Sequence, residues 1–520
     1  MTHYKGTIIT CDDKNNVFSH LVEDGGKIVF VGDELPPEYA DAPTVELGEQ
    51  ALIPCFVDTH MHFASFATFH AGLNVMKARD NAQIERELKE FAKSYKGKIV
   101  IGFGASPYSV KEGRLINRTE LDRAVPDKPA LIIKYDGHAC IVNTKLLNLL
   151  KDKIKDLRGY HEDSGEMNQE AFFAVSNYIT DSLSIFELVK NMQKAADYIA
   201  SKGIGMVHTV SGVGFSGDLD VDLEKWVGRG LQNGFQLRIF MQTLTVEKAA
   251  KRKFPRIGGC FECALDGCFG SQDAAMNEPY ENSTDKGVLY YTDEQVIDFC
   301  KKANRRNMQI ELHAIGDAAV DQAARAIKAA LDDYPREDHR HGIIHACLPT
   351  EQALKICKEY SIQLPVQTSF INWPQEPDEY LEKILGERAA RLNPLKTFLD
   401  NSITLCAGSD APCTDPDPIL WIHNACNHSV KEESVSVYEA LRMCTYNGCK
   451  ASFDEKERGS LEIGKIADMT LLSASPYSVP TEQLKTIQVK KLYLQGKEYK
   501  KQSSGAIATV LKGMLSKKKI

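Results

Sequence analysis

Apolar positions fall in two rhythms along this chain. At both ends, short runs rich in β-branched and aromatic residues are cut by turn residues. Runs 7–10 and 27–31 lie on either side of Gly25-Gly26, and 466–472 and 489–494 are followed by Gly496. Between them, brief apolar runs alternate with stretches of helical period, the pattern of parallel strands joined by crossover helices. Eight runs are expected as strands: 52–60, 205–210, 237–243, 259–266, 308–314, 342–346, 362–368 and 403–410. The clearest helix is 317–330, where alanine, the strongest helix former, recurs.

Eight strand–helix units are what a (β/α)8 TIM barrel requires. An open doubly wound sheet is the rival, but no Gly-x-Gly-x-x-Gly opens any of the helices. The expected architecture is therefore α/β. A barrel spans 58–454, and a small composite β-sandwich is built from both chain ends, 1–57 and 455–501. The gap from His62 to Gly205 is too long for one βα connection. It predicts an inserted subdomain at about 66–180, in which Gly102–Tyr108 is expected as a mobile aromatic lid. Residues 502–520 read as a polar linker, an amphipathic helix and the basic tail Lys517-Lys518-Lys519, expected as a solvated, frayed terminus rather than a docking element.

Composition narrows the function classes. A length of 520 residues predicts more than one domain, and 43% apolar with 26% charged residues suits a soluble globular protein. A formal net charge of −8 argues against a general nucleic-acid binder. No apolar run approaches the roughly 20 residues of a membrane span, and no signal-peptide core is present, so a cytoplasmic location is expected. Fourteen scattered cysteines then read as free thiols. Cys260, Cys263 and Cys268 form the only tight cluster; with no fourth cysteine at comparable spacing, they are taken as small core residues. A homodimer is the prior expectation for assembly.

The chemistry gathers at the ends of the expected strands. His60 and His62 close the first, on one face because strand side chains alternate. His313 ends the fifth, His345 the sixth and Asp410 the eighth. Metal-ligand residue types at strand C-termini occupy the face where barrel active sites are built. In the fourth strand, alternation puts Cys260, Glu262, Ala264 and Asp266 on one face. A carboxylate there is costly unless it is paired or bound to a cation, so Glu262 is expected to bind one metal or bridge two, with a salt bridge as the alternative. One or two divalent ions follow, zinc first and iron or manganese next. Such an ion acidifies a water and polarises a carbonyl, with Asp410 as general base, and the reaction class is metal-assisted hydrolysis of a small molecule.

These residues resemble the metal-dependent amidohydrolase superfamily over nearly the whole chain. The likeness is to amidohydrolase family 3, in the branch that includes N-substituted formamide deformylase. The shared motifs run from Ile53-Pro-Cys-Phe-Val-Asp-Thr-His-Met-His62 through Asp136-Gly-His138, Asp266-Gly267, His313-Ala-Ile-Gly-Asp317, His345-Ala346 and Gly408-Ser-Asp-Ala-Pro412 to Gly459–Asp468. The resemblance implies that His60, His62 and Asp410 hold one metal and that His313 and His345 hold the other. It also implies that His138 and Asp317 line the substrate pocket, with a structural hydrogen bond as the alternative role of each. Three positions depart from the family pattern. Glu262 replaces a lysine that is carboxylated to bridge two metals, Gly342-Ile-Ile-His345 lacks two usual charges, and Cys55 replaces a glycine. The expected activity is hydrolysis of a non-peptide C–N bond. Deamination of a ring amine or imine is the enzymatic alternative, and a barrel kept as a binding or regulatory module is the other.

Overall fold

The computed structural model describes residues 1–520. Eight parallel strands form the centre: β1 (Phe56–Met61), β2 (Ile204–Ser211), β3 (Gln236–Met241), β4 (Arg256–Ala264), β5 (Gln309–Ala314), β6 (Gly342–His345), β7 (Leu364–Val366) and β8 (Leu405–Ala407). Strands β1 to β6 pair in sequence order and β7 pairs with β8. Two single bridges close the ring, Gly342 to Gln363 between β6 and β7, and Met61 to Ala411 between β8 and β1. The result is a TIM barrel, and each of the eight expected runs overlaps one of its strands. Their β-branched and apolar residues are buried on both faces, as a helix-wrapped parallel sheet demands.

The first expected strand divides. Leu52 belongs to the preceding strand Thr44–Pro54, which pairs with Met469–Leu472, and the barrel strand starts only at Phe56. Strands from both chain ends make one continuous seven-stranded sheet, ordered Lys497–Glu498, Val489–Leu494, Met469–Leu472, Thr44–Pro54, Thr2–Ile9, Val17–Asp24 and Lys27–Gly32. A six-stranded sheet stands apart between β1 and β2, running Tyr160–His161, Glu166–Asn168, Ala139–Val142, Ala130–Lys134, Val100–Ala105 and Leu73–Asn74. Separate apolar clusters cover its two faces, around Leu146 and Val175 on one and Leu88 and Leu121 on the other.

Three helices matter below: α1 (Leu219–Gly230), α2 (Asp317–Asp333) and α3 (Ala506–Leu515). The C-terminal segment is not a frayed tail. Helix α3 crosses α1 at glycines: a Cβ on Gly513 would lie 1.8 Å from Trp226 O, and one on Gly230 2.1 Å from Thr509 O. Beyond it, Lys518 Nζ donates to the carbonyls of Gly228 and Leu231, at 2.9 and 3.2 Å, and to that of Phe235. The three lysines misled because a basic run is usually solvated, whereas here the carbonyls that end α1 supply the acceptors. No helix of the chain is long and apolar enough to cross a membrane.

Candidate metal centre

The centre is assembled where β8 is stitched to β1. Asp410 N donates to His60 O and His62 N donates to Ala411 O, both at 2.8 Å, so two backbone hydrogen bonds set the register of the His-x-His strand and the Asp410 segment. Asp58, two residues before His60 and fully buried, accepts from Ser409 N at 2.9 Å, Ser409 Oγ at 2.6 Å and His60 N at 3.3 Å. Gly408 is required at this crossing, because a Cβ there would lie 2.6 Å from His60 N. Three residues at the strand ends carry positive φ without being glycine: His345 at 71°, Ala346 at 48° and Asp410 at 54°. Strain of this kind persists where the surroundings over-determine it, typically at functional sites.

Side chains from five strands then converge. His60 Nε2 lies 3.1 Å and His62 Nε2 3.3 Å from Asp410 Oδ1. Cys260 Sγ sits 3.3 Å from His60 Nε2 and 3.8 Å from His345 Nε2. The His313 and His345 rings meet edge-on with centroids 4.6 Å apart. The donor atoms of His60, Cys260, His345 and Asp410 all lie within 4.8 Å of one another. All six residues are buried.

Outer partners orient the rings. Gln367 Oε1 accepts from His345 Nδ1 at 2.5 Å, which leaves a lone pair on Nε2, the atom facing Cys260. His313 Nε2 approaches Gly267 O at 3.2 Å. Asp266, also buried, accepts backbone N–H groups from Ile315, Gly316 and Ala275, and its Oδ1 is 3.5 Å from His313 Nε2. Burial raises the Asp266 carboxyl to about 7 against those three donors. Burial also lowers His313, to about 4, so this imidazole is neutral at pH 7 and able to ligate. At Asp410 burial alone would raise the carboxyl, but His60 and His62 outweigh it and hold the group well below the carboxylate range.

These side chains fit a cation better than they fit each other. His60 Nδ1, His313 Nδ1 and Asp410 Oδ1 are buried without a well-formed hydrogen-bond partner, although Asp410 Oδ1 has two imidazole nitrogens close by. Buried polar groups are normally satisfied, and here His60 Nε2, His345 Nε2, Cys260 Sγ and Asp410 Oδ1 converge on one another through only loose contacts of 3.1–3.8 Å, a donor set that suits a shared divalent ion.

The residues expected from the sequence divide cleanly. His60, His62, His313, His345 and Asp410 are brought together. Glu262 is not: it is exposed, and its Oε1 accepts from Thr243 Oγ1 at 3.1 Å and Leu244 N at 3.2 Å. The cause is a bulge in β4. Phe261 adopts φ 48°, and the register with β5 jumps between Gly259 and Ala264, which breaks the alternation that placed Cys260 and Glu262 on one face. Cys260, expected as a core thiol, takes the inward place. Asp317 also lies off the site: it opens α2, and its Oδ1 accepts from Asn277 N at 2.7 Å, a carboxylate at a helix N-terminus. His138 does line the cavity, beside Phe261.

That cavity, of about 1620 Å³, reaches from the metal-ligand cluster to the inserted subdomain. Apolar walls come from Phe173, Phe269, Phe370 and Trp373. Sequence reading missed a second polar group on the wall. Lys134 Nζ pairs with Asp136 Oδ2 at 2.7 Å, and Tyr135 OH donates to Glu376 Oε1 at 2.7 Å. Burial lifts the Glu376 carboxyl to about 7. The signal available was Lys134 and Asp136 flanking Tyr135 at the end of an apolar run. The 102–108 segment is no lid: Val100–Ala105 is a strand, Ser106 Oγ donates to Gln375 O at 3.1 Å, and Tyr108 OH donates to Gly270 O at 2.7 Å.

Fold and site together define an eight-stranded α/β barrel with a candidate metal site at the C-terminal strand ends. Residues 44–499 match the Amidohydrolase family (Amidohydro_3), and the chain belongs to that family. It is 24% identical to the Bacillus subtilis protein named "Putative amidohydrolase YtcJ", over 89% of this chain and 92% of that one. It is 23% identical to N-substituted formamide deformylase of Arthrobacter pascens, over 94% and 96% respectively. Among solved structures, an uncharacterized metal-dependent hydrolase from Pyrococcus furiosus superposes with a TM-score of 0.74 at 24% identity, covering 91% of this chain and 99% of that one.

Proposed function

We propose that the chain is a metal-dependent hydrolase of a non-peptide C–N bond, in a substituted amide, formamide or cyclic amide. The observation that carries this reading is the buried convergence of metal-ligand atoms at the strand ends, with His60, Cys260, His345 and Asp410 mutually within 4.8 Å and His62 3.3 Å from Asp410. Family membership supports the hydrolytic class, and the Arthrobacter relative is named for deformylating N-substituted formamides. His60, His62, His313, His345 and Asp410 would hold the divalent ion or ions, with zinc the first choice for such donors. When bound, the metal supplies Lewis-acid polarisation of the scissile carbonyl and acidifies a water.

The chain's own groups do the rest. Asp410 accepts the proton of the attacking water and returns it to the leaving nitrogen, a role supported by its place beside His60 Nε2 and His62 Nε2, at 3.1 and 3.3 Å. Gln367 keeps the His345 ring in one orientation. His138 stands on the cavity wall where a substrate polar group would pass, and the aromatic walls exclude bulk water from the reacting bond. A panel of amides, formamides, cyclic amides and ring amines, offered to the metal-loaded protein, tests the proposal. Formate or carboxylate release with free amine is expected. Ammonia from ring amines alone would replace it with deamination, and a chain that binds none of zinc, iron or manganese would overturn it.

A further inference from the structure

Cys260 occupies the place that sequence spacing assigned to Glu262. Its sulfur lies between the two histidine pairs, 3.3 Å from His60 Nε2 and 3.8 Å from His345 Nε2, and belongs to the one cluster of mutually close metal-ligand atoms. The backbone holds it there. Gly259, at φ 125°, would drive a Cβ to 2.7 Å from Val210 Cγ1, so the strand can approach β2 only as glycine; the next residue's N–H is then taken by Gln242 Oε1 at 3.1 Å. Phe261 at φ 48° turns the chain over, and Glu262 leaves to cap Thr243 and Leu244 outside the cluster. Asp410 is the one carboxylate in this four-residue cluster, so a second anion would match the charge of a divalent ion.

We propose that the Cys260 thiolate is a direct ligand of the metal, and that it stands between the His60 and His345 sides of the centre. The inference rests on the metal-dependent reading above. Binding breaks the S–H bond and forms a metal–sulfur bond, and the proton leaves to solvent. A thiolate makes the site softer than imidazole and carboxylate alone, favouring zinc over manganese or magnesium. It also gives this chain a strand-four ligand unlike the glutamate its spacing suggested.

The test is X-ray absorption at the zinc edge on the full-length chain, stripped with chelator and reloaded with one equivalent of zinc. A sulfur shell at about 2.3 Å is expected beside nitrogen and oxygen at about 2.0–2.1 Å. Cys260→Ser should lose that shell and weaken zinc binding by more than the roughly 10–100-fold cost of an outer partner. Glu262→Ala should change neither. The remaining cavity thiols are controlled by Cys268→Ser, Cys347→Ser and Cys413→Ser, each expected to keep the sulfur shell. If Cys260→Ser does not fold, the unmutated chain and these three variants decide. Bound zinc with nitrogen and oxygen neighbours alone, or a sulfur shell surviving Cys260→Ser, overturns the inference and leaves the hydrolase reading standing. Failure to bind any metal overturns that reading first.

Discussion

The two ends of the barrel bury charge in opposite ways. At the N-terminal end, Arg238 Nε and Nη2 donate to the two oxygens of Asp454, both at 2.8 Å, and Lys519 Nζ donates to Asp454 Oδ1 at 2.9 Å. Arg256 completes the layer through Ser452 O and Ile520 O. Cations meet an anion and carbonyls there, while Arg256 Nε, both His208 nitrogens and both Glu311 carboxyl oxygens nearby stay without partners. At the C-terminal end, imidazoles, a thiol and a carboxylate face one another, nearly all as lone-pair donors. Burial is alike at the two ends, and unsatisfied polar atoms occur at both, so neither separates stability from function; what differs is charge pairing, a bidentate ion pair at one end and convergent lone-pair donors at the other.

This contrast can be broken from either side. The largest effect is expected at the top: Asp410→Asn should cut turnover by about 10²–10⁴-fold, the usual contribution of a general base. Circular dichroism should stay unchanged, and near-normal turnover would remove Asp410 from that role. At the bottom, Asp454→Ala leaves Arg238 buried and unpaired, at a cost of about 3–5 kcal/mol in denaturant unfolding. Zinc bound per folded chain should not change; a loss would mean that the two ends are coupled. Arg238 and Lys519 hold the Asp454 carboxyl far below its ordinary value, despite burial. With its folded value depressed, the pair contributes fully above the unfolded carboxylate range and is lost only as pH falls through the folded value, so the bottom should survive mild acid.

Smaller effects sharpen the picture. Removing metal with a chelator should lower the melting temperature, by the equivalent of about 2.7 kcal/mol if the metal had been present at about a hundred times its dissociation constant. No shift in calorimetry would argue against a cation holding the top together. Gly513→Ala would force α3 off α1 and cost about 1–3 kcal/mol, detectable as faster proteolysis of the last residues. Uncut, stable protein would show that the close crossing can relax. The smallest change is expected for Glu262→Ala, within about 0.5 kcal/mol in an unfolding titration, as for other exposed side chains.

Much of this was readable before folding. Eight short apolar runs separated by helical stretches specified the barrel, because strands buried on both faces need continuous β-branched and apolar residues. His60, His62, His313, His345 and Asp410 were legible because each ends such a run, and parallel strands bring their C-termini to one rim. Cys260 and Glu262 were misread, and Asp317 took the structural hydrogen bond that was one of its two expected roles. Alternation assumes a regular strand, and a positive φ at Phe261 cancels it. A motif aspartate beside His313 is near the site in sequence, yet it opens α2 and caps the Asn277 backbone instead.

The chain by itself thus determined the barrel, the order of its strands and the five candidate residues at their ends, since each follows from residue type at local spacing. Tertiary structure alone decided the rest. The β4 bulge turned Cys260 inward and Glu262 outward, the glycine crossing of α1 and α3 turned a basic tail into a docked element, and Tyr135, beside the Lys134–Asp136 pair, met Glu376 from a distant loop. All three depend on contacts between residues far apart in the chain, whose energies no local pattern carries.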